Sequence, residues 1–369
     1  MDCRNLEIAL VVGTRPEIIK MAPLIQALQE RRIEFCFTLT GQHHDYEMSM
    51  QFVKELGLPE PTSSFTLENS KPASQIGEIM GKLERVLDNS GSKILLIQGD
   101  TNSMLAAGLT GVKLGIRVGH VEAGLRSFDW RMSEEHNRRM VDHISDLLFA
   151  PTETSQRNLL NEQVYGRTVV TGNTVVDAVN RYLPVALRTS SIMKRIPFSE
   201  FSFATIHRKE NVESRDVLHN LINALVELDT PMVFPLHPRT ELNLRRFGLY
   251  EALASSSQVC LLPPIGYLDT LVLLKNCRLI LTDSGGLQEE ATVPYIRKNV
   301  IVLRTSTERP EAVAAGFAKI AGTDKDAILK NVREVLDNQP DLPNVSPYGD
   351  GTAAEKILKV IVDELQNAS

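Results

Sequence analysis

From one end to the other the chain alternates short apolar runs, each closed by a glycine or polar turn, with segments carrying apolar residues at helical spacing. Ile8 to Val12 ends at Gly13-Thr14-Arg15-Pro16-Glu17 and leads into Ile18, Met21, Leu24, Ile25 and Leu28. Lys93 to Ile97 ends at Gln98-Gly99-Asp100-Thr101, and Leu279 to Thr282 ends at Asp283-Ser284-Gly285-Gly286 before a helix carrying Glu289 and Glu290. An apolar run bounded by turn residues reads as a strand buried on both faces, and a helix between two such strands makes them parallel. The expected fold class is α/β, with two doubly wound (Rossmann-like) domains and a cleft between them.

At 369 residues the chain is too long for one ordinary core. The alternation lapses in the polar stretch from Arg188 to Pro197, which places the expected domains at residues 1–187 and 188–350. A terminal helix within residues 351–369, following Tyr348-Gly349-Asp350-Gly351, is expected to cross back onto the first domain. A net charge of -6 leaves no basic excess to displace counterions from nucleic acid. Asp2, Arg4 and Glu7 stand where a signal peptide needs an apolar core, and no apolar run approaches the roughly 18 residues of a membrane span. No nucleic-acid or membrane partner and a cytoplasmic location are therefore expected. Cys3, Cys36, Cys260 and Cys277 show no paired metal-ligand spacing, so reduced thiols are expected, in keeping with a cytoplasm.

Polar groups gather where the strands end. Arg15, Lys20, Asp100, Glu122, Glu134, Arg138, His207, His237, Ser284 to Gly286, Glu290 and Arg309 all follow predicted strands closely or lie on the helices and loops just beyond them. In open α/β sheets that edge is where ligands bind. Cations and paired glycines fit a phosphorylated ligand, because the backbone can approach closely and the first helical N–H groups are free to donate. Glu290 can accept the paired hydroxyls of a ribose. Glu134 and Arg138, four residues apart, share one helical face and can pair. Neither GxGxxG after the first strand nor GxxxxGK[ST] is present, which counts against a dinucleotide and against a P-loop. The adjacent His43-His44 lack a second ligand cluster at useful spacing, and His120 and Glu122 cluster only loosely with His136 or His143, so no metal is expected.

The segments GTRPEIIKMAPL, QGDTNS, GHVEAGLRS, EEHNRRMVDH, HRKEN, LTDSGGLQEEA, TERPEAV and SPYGDG, in this order across nearly the whole chain, resemble the non-hydrolysing UDP-N-acetylglucosamine 2-epimerases. The resemblance implies a fold similar to the glycogen phosphorylase (GT-B) class, a homodimer, and no cofactor or metal. It implies interconversion of UDP-N-acetylglucosamine and UDP-N-acetylmannosamine, by anti elimination of UDP and syn re-addition, supplying nucleotide sugar for surface or envelope glycans. By motif match, Asp100, Glu122, Glu134 and His207 become the acid and base candidates. Arg15, Lys20, Arg138, His237, Ser284, Gly285, Gly286 and Arg309 become contacts to phosphate or sugar, Glu290 the ribose acceptor, and Gln42 and His43 a regulatory site for substrate. Ser133 stands where the family pattern has proline, and the loop from Phe128 to Met132 is shorter than usual, which leaves the placement of Glu134 open. A hydrolysing relative, a glycosyltransferase of the same fold and a non-catalytic nucleotide-sugar sensor remain as alternatives.

Overall fold

The computed structural model describes residues 6–41, 46–88, 90–338 and 340–367. Gln42 and His43 lie outside them. The chain forms two compact units, Met1–Ala178 together with Tyr348–Ser369, and Val179–Pro347.

Among the described residues the first unit carries a seven-stranded sheet. Its strands are β1 (Ile8–Val12), β2 (Cys36–Leu39), β3 (Ser63–Ser64), β4 (Ile94–Gln98), β5 (Arg117–Val121), β6 (Leu147–Ala150) and β7 (Arg167–Val170). They lie in the order β3-β2-β1-β4-β5-β6-β7, every pairing parallel. β1 and β4 are buried at every position. Such strands need cover on both faces, which explains why their sequences are continuously apolar and do not alternate. Helices Pro72–Leu87 and Asn102–Lys113 pack on one face, with Ile79, Leu83, Met104 and Ala107 against Val11, Leu95 and Ile97. Gly119 in β5 has no room for a side chain, since a Cβ there would stand 2.7 Å from Leu96 Cδ2.

Six strands form the sheet of the second unit among the described residues: β8 (Ser202–Thr205), β9 (Met232–Pro235), β10 (Val259–Leu262), β11 (Leu279–Thr282), β12 (Asn299–Val302) and β13 (Ala318–Ile320). The order is β10-β9-β8-β11-β12-β13, again wholly parallel. In both sheets the order reverses beside the unit's first strand, at β1/β4 and at β8/β11, and a doubly wound sheet opens its ligand crevice beyond the strand ends at that reversal. The sequence segments GTRPE and QGDT follow β1 and β4, while HRKEN and DSGG follow β8 and β11.

The division between units differs from the expected boundary at residue 187. It falls inside helix Thr174–Thr189, between Ala178 and Val179. A continuous helix crosses it, so neither glycine nor polar composition marks the place. The closing helix, Ala353–Asn367, is grouped with the first unit. Asp177 accepts hydrogen bonds from the backbone N–H groups of Ala353 (3.2 Å) and Ala354 (2.9 Å) at the start of that helix. Tyr348 O accepts from Asn173 N at 2.8 Å, and Glu364 pairs with Arg117 and Arg167 at 2.6 and 2.7 Å. Cys260 and Cys277 are free, whereas Cys36 is disulfide-bonded and departs from the expectation of reduced thiols throughout. Among the described residues no helix is long and apolar enough to cross a membrane.

Asp177 accepts from the first two N–H groups of the last helix, so Asp177→Ala is expected to cost about 1 kcal/mol. Amide hydrogen exchange at Ala353 and Ala354 should accelerate in this variant while exchange in β1 and β4 stays slow. Unchanged protection at both alanines would contradict the anchor.

Candidate active site

Strand β5 stops at Val121. Glu122 takes a left-handed backbone with φ of 71°, and Gly124 one of 84°. A glutamate in that region is strained, and its backbone must be held by its surroundings. Its own N–H and that of Ala123 both donate to Phe149 O at 3.1 Å. The turn drops the Glu122 side chain into a buried polar cluster. Lys20 pairs with it, and Gln98 Nε2 and Asn173 Nδ2 each donate to its Oε2 at 3.2 Å. Lys20, expected on a phosphate, is thus placed against a carboxylate. A buried charge is tolerated when paired and hydrogen-bonded, and Glu122 is both.

Asp100 follows Gly99, whose φ is 84°. Its carboxylate accepts from Arg138 Nε at 2.8 Å, and its carbonyl accepts from Asn137 Nδ2 at 2.9 Å. The pairing expected between Glu134 and Arg138 gives way to one with Glu135, whose Oε2 is 2.6 Å from Arg138 NH1. Glu135 is fully buried and also accepts from the N–H and hydroxyl of Ser127, both at 2.9 Å. Burial alone would raise its pKa, but the Ser127 hydrogen bonds and the Arg138 charge hold it below the usual range. Glu134, half-buried, accepts from Ser133 Oγ at 3.1 Å. Arg15 lies with its guanidinium 4.7 Å from the centre of the Phe52 ring.

The first reversal point holds a carboxylate that the candidate set omitted. Glu17 is buried; its Oε2 accepts from Gly13 N (2.6 Å) and Thr14 N (2.8 Å), and its Oε1 from Thr101 Oγ1 (2.6 Å). It therefore ties the turn after β1 to the turn after β4. Burial pushes its carboxyl up to about 7 despite those hydrogen bonds, and the neighbouring Asp100 charge adds to the rise. The signal was available as the spacing Thr14-x-x-Glu17, a capping box.

In the second unit the organising group is Asp283, also absent from the candidate set. This fully buried carboxylate accepts from His207 N (3.0 Å), Arg208 N (2.9 Å) and Asn211 Nδ2 (3.0 Å), and lies 3.3 Å from His207 Nδ1. The partly exposed His207 ring faces that of His237, centroid to centroid 5.7 Å, and His237 caps helix Pro238–Arg246 by accepting from Arg239 N at 3.2 Å. Glu308, buried, receives Arg304 at 2.8 Å and Arg208 at 3.1 Å. Arg309 pairs with Glu289. Gly285 and Gly286 are glycines for different reasons. A Cβ on Gly285 would come within 2.7 Å of Glu308 Oε1, whereas one on Gly286 would meet only Ser284 Oγ at 3.9 Å. A side chain at Gly285 would have to displace the Glu308 carboxylate, whereas Gly286 has open space. Glu290 is buried at the end of the short helix Gly285–Glu290.

No group of three or more histidine, cysteine or acidic residues able to hold a metal is found among the described residues. His120, weighed as a ligand, has both ring nitrogens engaged, Nδ1 with Asp142 at 2.7 Å and Nε2 with Gly99 O at 2.9 Å.

The two reversal points, with their acids and cations, can be set beside known proteins. The profile of the family described as UDP-N-acetylglucosamine 2-epimerase matches residues 26–362. The chain belongs to this family. The UDP-N-acetylglucosamine 2-epimerase of Methanocaldococcus jannaschii is 38% identical over 365 residues, which cover 96% of this chain and 99% of that protein. A crystal structure of the M. jannaschii enzyme in complex with UDP-GlcNAc and UDP superposes with a TM-score of 0.90, covering 96% of this chain and 99% of that one. A Pseudomonas aeruginosa UDP-2,3-diacetamido-2,3-dideoxy-D-glucuronate 2-epimerase is 34% identical, with 96% of this chain and 99% of that protein covered. Family membership makes the chain an epimerase with two Rossmann-like parallel-sheet domains.

The elevated Glu17 carboxyl has a measurable consequence. In the folded chain it takes up its proton near pH 7, in the unfolded chain near 4.5. The folded state binds the extra proton between those values, so this contribution to stability is complete below the lower one and is lost as pH rises through the upper. Thermal unfolding of the wild type should lose on the order of 5 °C more than Glu17→Gln between about pH 5 and pH 8. Parallel curves for the two proteins would contradict the assignment.

Proposed function

We propose that this chain interconverts UDP-N-acetylglucosamine and UDP-N-acetylmannosamine without hydrolysis, by anti elimination of UDP to a 2-acetamidoglucal and syn re-addition. The observation that carries the reading is Glu122, a buried carboxylate delivered at a strand end by a left-handed backbone and matched with Lys20. Strain of this kind persists where the surroundings over-determine it, and it concentrates at functional sites. The complex of the M. jannaschii relative with UDP-GlcNAc and UDP supports the choice of substrate.

Elimination moves the C1–O bonding pair onto the diphosphate while a base takes the C2 proton. Re-addition returns a diphosphate oxygen to C1 and delivers a proton to the opposite face of C2. Two faces require more than one acid or base. Asp100, Glu122, Glu134 and His207 are the groups assigned to this work. Lys20 is paired with Glu122 and Arg138 with Asp100, which fixes where each carboxylate stands. The negative charge that develops on the diphosphate requires fixed donors and cations. Arg15, His237, Ser284 and Gly286 supply them, with Gly286 leaving a side-chain volume empty for the ligand. Glu290 receives the ribose hydroxyls. Gly285 and Arg309 brace the turn, the first against Glu308 and the second through Glu289.

Incubation with UDP-N-acetylglucosamine should yield UDP-N-acetylmannosamine and no free sugar. Release of N-acetylmannosamine with stoichiometric UDP would replace this reading by a hydrolysing one. Asp100→Asn and Glu122→Gln should each lower turnover by at least about 100-fold while UDP still binds. Glu290→Ala should chiefly raise KM, and a loss confined to kcat would contradict the ribose role.

A further inference from the structure

Asp100 extends from a glycine turn. Gly99, with its φ of 84°, has nothing within 4 Å of the place where a side chain would be, so packing does not fix the backbone there. Polar contacts do. Gly99 N donates to Val121 O at 3.2 Å, Asp100 O accepts from Asn137, and the Asp100 carboxylate accepts from Arg138. The remaining group of the turn, Gly99 O, accepts from His120 Nε2 at 2.9 Å.

His120 is almost fully buried in β5, two residues before Glu122. Its other nitrogen meets Asp142 Oδ1 at 2.7 Å, and the second oxygen of Asp142 receives Arg126 NH1 at 2.7 Å and Gly124 N at 3.2 Å. Arg126 continues to Glu162 at 2.7 Å. Burial by itself would raise the Asp142 carboxyl, but the His120 hydrogen bond and the charges of His120 and Arg126 hold it well below the usual range. A carbonyl such as Gly99 O can only accept, so Nε2 carries the proton that it donates to the turn, while Nδ1 faces the Asp142 carboxylate. The side chain is a rigid spacer between a buried ionic network and the turn that carries Asp100. The same network grips Gly124, just beyond Glu122.

We propose that His120 is a positioning residue for the epimerisation: held by Asp142, it anchors the Gly99 carbonyl and so fixes the direction in which Asp100 presents its carboxylate. The proposal rests on the role given to Asp100 above. A carboxylate that must meet one C–H bond loses rate steeply when displaced by even an ångström, while ligand binding through other groups is barely affected.

The test separates the two ends of the ring. His120→Gln can place its amide nitrogen near the position of Nε2 and retain the bond to Gly99 O. His120→Asn places its amide nearer Nδ1, retaining Asp142 and releasing the turn. Turnover should fall about 30-fold in His120→Asn with KM within about 3-fold of wild type, and by less than about 5-fold in His120→Gln. Equal losses in both, or thermal destabilisation with unchanged kcat, would overturn the positioning role. Asp100→Asn run in parallel separates the levels. If the wild type is active and Asp100→Asn is slow but His120→Asn is normal, only this inference fails; if Asp100→Asn is itself normal, the reading beneath it fails. Should the variants not fold, the wild type still decides, because its imidazole Nε2–H must appear as a slowly exchanging proton by NMR, and rapid exchange there would refute the anchor.

Discussion

A parallel strand covered on both faces offers neither water nor countercharge along its length, so an ionisable group belonging to it must leave at an end or be fully paired. That constraint arranges this protein. β1, β4 and β11 are buried throughout and carry no charge, and the chemistry begins at the first residues past them, Gly13 to Glu17, Gly99 to Thr101 and Asp283 to Gly286. β5 shows the constraint at its limit. Its inward polar residue, His120, is tied at both nitrogens, and its acid, Glu122, escapes the strand only by adopting a left-handed backbone.

The buried carboxylates divide by what surrounds them. Glu135 and Asp142 face arginines, with backbone N–H groups or a histidine adding hydrogen bonds, and are held below the usual range although burial opposes it. Glu17 accepts from the Thr101 hydroxyl and two backbone N–H groups and Asp177 from backbone N–H groups, and burial raises them to about 7 and about 6. The first pair keeps its charge across neutral pH and fixes geometry, one beside Arg138 and the other beneath His120. The second pair ties segments together through hydrogen bonds that do not depend on full ionisation, Glu17 joining two turns and Asp177 the start of the closing helix.

Much of this was legible in the sequence because strand-turn-helix grammar is local. The runs ending at Gly13, Gln98 and Thr282 announce their strands. Pairings across the sheet are not local. Nothing near Lys20 says that its partner is Glu122, more than a hundred residues away, and nothing near Gln98 or Asn173 says that they converge on the same oxygen. Helical i,i+4 spacing matches Glu134 with Arg138, but the loop from Ser127 supplies donors that draw the neighbouring Glu135 carboxylate inward. Asp283 looked like part of a glycine turn, and its hold on the His207 loop appears only when β8 and β11 lie side by side. The division of the units has no local signal, because a continuous helix spans it.

In the proposed reaction, carboxylates at the first reversal point exchange the proton at C2 while UDP leaves and returns. The most direct measurement is NMR of UDP-N-acetylglucosamine incubated with the wild-type protein in deuterated water. Deuterium should enter C2 of UDP-N-acetylmannosamine as it forms and then appear at C2 of the recovered UDP-N-acetylglucosamine, with both sugars still joined to UDP. Epimerisation that leaves C2 unlabelled, or no C2 exchange at all, would contradict it.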